Sequence, residues 1–152
     1  MSTFTLIHVL ISLIGIGSGL VVVYGFVAGK RLPAWNALFL VMTILTSVTG
    51  FFFPFHGITP GIVVGVISLV VLAVAVLAWN KRWAKTYIVT ATIAEFFNVL
   101  VLIVQSFEKI PALHALAPKG SEPITAVAKV LALCLFVVLA WVAIRRARFV
   151  LS

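Results

Sequence analysis

Glu95, Asn98 and Gln105 are the polar residues most able to do chemistry in this chain, because they recur on one helical face within an otherwise apolar run, ATIAEFFNVLVLIVQSF. Glu95 is about twelve residues from the outer end of that run, or roughly 18 Å deep at the helical rise. A carboxylate at such depth is costly unless paired or protonated. No Lys or Arg is expected at the same depth, so the sequence predicts a neutral acid hydrogen-bonded to hydroxyls. Ser18, Thr43, Thr46 and Ser47 on the first two apolar runs are the opposing candidates. This pattern fits a proton or ion path, a quinone-type site, or polar adhesion between helices.

The histidines form a second set. His8, His56 and His114 are all expected at the outer face, where neutral imidazoles could hold zinc, copper or haem iron with help from Glu108 or Glu122. They come from three separate elements, however, and lack local ligand spacing. Interfacial histidines satisfied by water or backbone are the simpler expectation. Cys134 is the only cysteine, which excludes an intrachain disulfide and a CxxC pair and leaves it as a small apolar filler. A close acid pair, a Ser-His-Asp arrangement on one side and a phosphate-binding glycine loop are all missing, so the reading is of a non-catalytic protein.

The elements that must position these residues are set by composition. Of 152 residues, 64% are hydrophobic and 9% charged, far too apolar for a domain that covers itself with polar groups. Five runs are long enough to cross a hydrocarbon core, at residues 4–28, 35–53, 59–79, 86–107 and 124–144. GKRLP, PFHG, NKRWAK and EKIPALHALAPKGSEP separate them with the Pro, Gly and charge that end membrane helices. Barrel strands would alternate in polarity, and these runs are apolar on every face. The expected fold is therefore an all-α, single-domain transmembrane bundle of five helices.

Basic residues orient it. Lys30, Arg31, Lys81, Arg82, Lys85, Arg145, Arg146 and Arg148 fall on one side, against Lys109 and Lys119 on the other, with Lys129 a turn or two into the last span. The amino terminus is thus expected to be periplasmic and the carboxyl terminus cytoplasmic. The net charge of +8 is a topology signal, with anionic lipid contact as a secondary consequence, and does not indicate nucleic-acid binding. Trp35, Trp79, Trp83 and Trp141, with Tyr24 and Tyr87, are expected as anchors at the cytoplasmic interface. No basic residue precedes the first run and no small-residue cleavage site closes it, so this span is expected to stay as an anchor.

Small residues suggest where helices approach. Gly15 and Gly19 on the first span, alongside Ser12, and Gly61, Gly65 and Ser68 on the third are spaced to let backbones come close in lipid. These two spans are expected to pack tightly, against each other or against a partner. In TGFFFPFHGITPG, Pro54 should end the second helix, and Gly57 with Thr59-Pro60 should turn the chain into the third. PALHAL in the last loop has the pattern of a short helix lying on the membrane surface, as a lid or a docking element.

The segments SVTGFFFPFHGITPGIVVGVISLVVLAVA and NVLVLIVQSFEKIPALHALAPKGSEP resemble a group of small, uncharacterised bacterial inner-membrane proteins. The resemblance covers most of the chain and implies a bacterial inner membrane; it brings no site residues with it. The leading functional expectation is an accessory or assembly subunit of a larger membrane complex; the expected partners are the lipid bilayer and other membrane subunits or a homo-oligomer. A small redox or cofactor-binding protein using metal, haem or quinone is the alternative, followed by a proton-coupled carrier or channel. An odd number of spans argues against a complete inverted-repeat pair in one chain.

Overall fold

A computed structural model describes residues 2–147; Arg148, counted among the basic residues above, lies outside them. The described chain forms α1 (Thr3–Ala28), α2 (Pro33–Gly50), α3 (Pro60–Lys81), α4 (Ala84–Lys109), α5 (Pro111–Leu116) and α6 (Pro123–Arg145). All except α5 are long and apolar enough to cross a membrane, which makes this a multi-pass membrane protein.

Local chemistry sets the helix ends. Ser2 caps α1, its hydroxyl accepting the Thr5 N–H at 3.1 Å, and Gly29 closes the helix in the left-handed region at φ 67°. Lys30 N–H then reaches the Gly25 carbonyl at 2.8 Å, satisfying an orphan acceptor at the helix end. Pro33, Pro60, Pro111 and Pro123 each stand in the first turn of a helix, where a missing N–H costs nothing. The α3–α4 connection is tighter, since Arg82 itself takes the left-handed conformation at φ 59° and Trp83 N–H bonds the Ala78 carbonyl at 2.9 Å.

The second helix ends at Gly50, three residues before the expected limit, because Phe51, Phe52 and Phe53 turn back on Val48, Thr49 and Gly50 through i→i−3 bonds. PALHAL forms α5 as its sequence predicts. The described chain is all-helical, as expected.

α4 is the hub: it packs on α1, α3, α5 and α6, while α2 bridges α1 and α3. α6 is peripheral, touching α4 and α1 and leaving most of its length exposed. The core follows from these contacts. It contains Val22 and Phe26 of α1, Phe39 of α2, Leu72, Ala75 and Ala78 of α3, Tyr87, Ile88 and Ala91 of α4, and Ala143 of α6. Small residues in α3, α4 and α6 allow this close approach where lipid supplies no hydrophobic force between helices. The glycine face of α1 packs on α2 and α4, and α3 packs chiefly on α4 and α2. The two glycine-bearing spans therefore pack on the same two helices rather than chiefly on each other.

At the basic end of the bundle Tyr87 is fully enclosed, not set out in the interface. Its hydroxyl donates to Asn36 Oδ1, and its ring meets Phe26 and Trp79 with centroids 5.7 and 5.0 Å away. Asn36 in turn donates to the Leu32 carbonyl at 2.7 Å. Tyr87→Phe would leave the buried Asn36 oxygen without this donor, and we expect it to lower unfolding stability in detergent by about 1–3 kcal/mol. An unchanged unfolding midpoint would remove the bond from the account of the fold.

Candidate functional site

The intramembrane polar site is built where α1, α2 and α4 meet. Glu95 has no exposed surface. Asn98, one helical turn on, donates its Nδ2 to Glu95 Oε2 and to Thr43 Oγ1, both at 3.2 Å. One amide thus joins α4 to α2 and fixes the carboxyl group. Ser18 and Thr46, expected as further partners, turn their hydroxyls to their own helices: Ser18 bonds the Ile14 carbonyl at 2.7 Å and Thr46 the Met42 carbonyl at 2.8 Å. Gln105 is exposed and lies apart from this inward cluster.

Gly19 makes room for the acid. A Cβ on Gly19 would sit 1.9 Å from Glu95 Oε2, 2.4 Å from its carboxyl carbon and 2.9 Å from the Phe39 ring. Four residues earlier, Gly15 meets Thr43, where a Cβ would lie 3.4 Å from the hydroxyl oxygen. The GIGSG face of α1 is therefore shaped around the polar groups of α2 and α4. Gly17, on the opposite side, has open space around it. The carboxylate's other oxygen, Oε1, and the nearby Thr92 Oγ1 are buried without a hydrogen-bond partner among the described residues.

The glycines of α3 are placed differently. Gly65 takes the edge of the Phe51 ring, which a Cβ would approach to 3.0 Å, so it seats the turn after α2. Gly61 has only its own capping residue, Thr59, nearby.

The histidines are dispersed. His8 Nδ1 lies 2.7 Å from Thr49 Oγ1, and that hydroxyl already donates to the Leu45 carbonyl at 2.7 Å. A hydroxyl has one proton to give, so Nδ1 is the donor in the His8 bond. Phe53 packs edge-on against the same ring at 5.0 Å, which ties the FFFPF turn to α1. His56 is exposed in the α2–α3 turn, and His114 lies on α5. Among the described residues no three His, Cys, Asp or Glu side chains are grouped to hold a metal ion.

At the basic end Trp35, Trp83 and Trp141 are exposed, and Trp79 is partly buried against Tyr87. Arg145 stacks over Trp141 at 4.1 Å, and Arg146 donates to the Val27 carbonyl at 2.9 Å, fastening the end of α6 to the end of α1. Cys134 is exposed on the outer side of α6.

Sequence reasoning found Glu95, Asn98 and Thr43 as possible partners. It missed the direct role of Gly19 and the pairing of Tyr87 with Asn36. The signal for the former was present, since Gly15, Ser18 and Gly19 repeat with helical spacing, but nothing in that repeat names the facing residue. Comparison with family models, curated proteins and solved structures finds no match to this chain.

Gly19→Ala must displace a fully enclosed carboxyl group and break its bond from Asn98, so it should cost about 1–3 kcal/mol in detergent or bicelle unfolding. Gly17→Ala should change stability by less than about 0.5 kcal/mol. Equal effects of the two alanines would refute the packing described.

Proposed function

We propose that this protein is a non-catalytic integral membrane protein that acts by assembly, as an accessory or assembly subunit of a larger membrane complex. The supporting observation is the closure of α1 on Glu95 at Gly19. The buried acid is committed to holding α1, α2 and α4 together, and the space a substrate or quinone head would need beside Oε2 is occupied by helix α1. Function then falls to the surfaces, and α6 is the least buried of the five spans.

In this reading the amino terminus is outside and the carboxyl terminus in the cytoplasm of a bacterial inner membrane. The basic residues at the α1–α2 and α3–α4 turns and at the end of α6 support that orientation. Outer-face histidines as a metal or haem site have less support, because His8 is already engaged by Thr49 and lies in a different element from His114.

A second reading is favoured by one feature. Glu95 Oε1 and Thr92 Oγ1 lack partners inside a closed site, as expected of groups that exchange a proton in a proton-coupled carrier. Glu95→Gln separates the two. Under the assembly reading, in which Glu95 is structural, this variant loses folded protein; under the carrier reading it folds normally but loses proton-linked transport in vesicles.

The assembly reading itself is tested by native mass spectrometry of the protein extracted from its own membrane in mild detergent. Added mass matching other polypeptides is expected. Recovery as a bare monomer or a homo-oligomer would contradict it.

A further inference from the structure

We propose that the cleft between α4, α5 and α6 binds the anionic head of an amphiphile, a phosphate or carboxylate carried on an apolar tail. The cleft lies at the end of the bundle opposite the clustered arginines and is independent of Glu95. Its volume is about 280 Å³, enough for a head group but small for an entire drug-sized ligand. The remainder of the molecule would lie along the helices in lipid.

Charge selects the head. Lys119 and Lys129 line the cleft with His114, against the single carboxylate of Glu108. Glu122 does not line the cleft: its Oε1 accepts the Lys119 N–H at 2.9 Å, a bond that holds its carboxyl below the usual carboxylate range and keeps its charge on the loop behind the lysine. Lys129 is six residues into α6, or roughly 9 Å along the helix from Pro123, and is partly buried. A lysine there keeps its stem against apolar surface and brings its ammonium up to head-group level.

Shape selects the tail. Ile103, Val104 and Phe107 form the α4 wall, which runs from Glu108 toward the apolar middle of the helix. The opposite rim is held in place by the loop's own bonds. Ala117 N–H bonds the Leu113 and His114 carbonyls at 3.1 and 3.2 Å, and Gly120 turns at φ 72° with its N–H on the Ala117 carbonyl at 3.1 Å. Thr125 then donates to the Gly120 and Glu122 carbonyls at 3.1 and 2.8 Å, locking the loop to the first turn of α6. The long loop is thus a formed wall of the cleft, with its lysine backbone fixed before any ligand arrives.

The test uses the full chain in detergent, titrated with phosphatidylglycerol or with phosphatidylcholine of the same acyl chains, and scored by native mass spectrometry. Wild type should retain phosphatidylglycerol preferentially. Lys119→Gln/Lys129→Gln should weaken that retention by roughly tenfold or more, as expected for two head-group-level cations. Lys119→Arg/Lys129→Arg should restore it, and Lys109→Gln, at the same end but outside the cleft, should leave it unchanged. The thermal unfolding midpoint of each variant checks folding, and the arginine pair keeps the outcome readable if the glutamine pair is unstable. Equal retention of the two lipids, or an equal loss with Lys109→Gln, would overturn the proposal. Inorganic phosphate held as tightly as phosphatidylglycerol, with the same lysine dependence, would also overturn it by reassigning the cleft to a soluble anion.

Discussion

A carboxyl group buried among lipid-spanning helices must be enclosed by protein, and the packing of this bundle is arranged around that requirement at Glu95. The acid sits on α4, the helix with most neighbours, and has no exposed surface. Asn98 supplies its hydrogen bond and extends it to Thr43 on α2. Gly19 on α1 supplies the space. These residues bring three helices together at one depth, and because the pairing is polar it resists sliding or rotation that purely apolar surfaces in lipid would tolerate.

The two ends of the bundle are secured by other means. Tyr87 and Asn36 form a buried bond between α4 and α2 near the basic end, with Phe26 and Trp79 packed on the tyrosine ring. At the far end the FFFPF turn is pinned by His8, Thr49 and Phe53, while Phe51 fits against Gly65. Polar contacts at three levels therefore connect α2 to its neighbours, although α2 is the shortest of the five long helices at 18 residues. The α4–α5–α6 connection differs in using backbone and hydroxyl bonds within one loop, which leaves the lysine side chains there available to other groups.

Much of this was legible in the residues. Five apolar runs gave the helices and PALHAL formed its short helix, whereas α2 stops at Gly50, three residues short of the limit that Pro54 suggested. Such features depend on local chemistry and length, which a single sequence carries. The pairing of helices was harder. Gly15 and Gly19 advertised a close approach, but similar spacing in Gly61 and Gly65 suggested α3 as a partner, whereas the neighbours are α2 and α4. In a bundle apolar on all sides, periodicity cannot distinguish a lipid-facing side from a buried one, so Tyr87 resembled an interface anchor and is instead enclosed. Gln105 continued the polar face by spacing, yet it lies where α4 no longer has a covering neighbour on that side and is exposed.

A double-mutant cycle between Gly19→Ala and Glu95→Ala, read as unfolding free energy in bicelles, tests whether α1 closes on the buried acid. If α1 is shaped around the carboxyl group, removing that group should make room for the added methyl. The two changes should then be strongly non-additive, with Gly19→Ala costing far less in the Glu95→Ala background, a coupling of about 1 kcal/mol or more. Additive effects would mean that Gly19 and Glu95 do not meet, and the packing proposed for the bundle would be wrong.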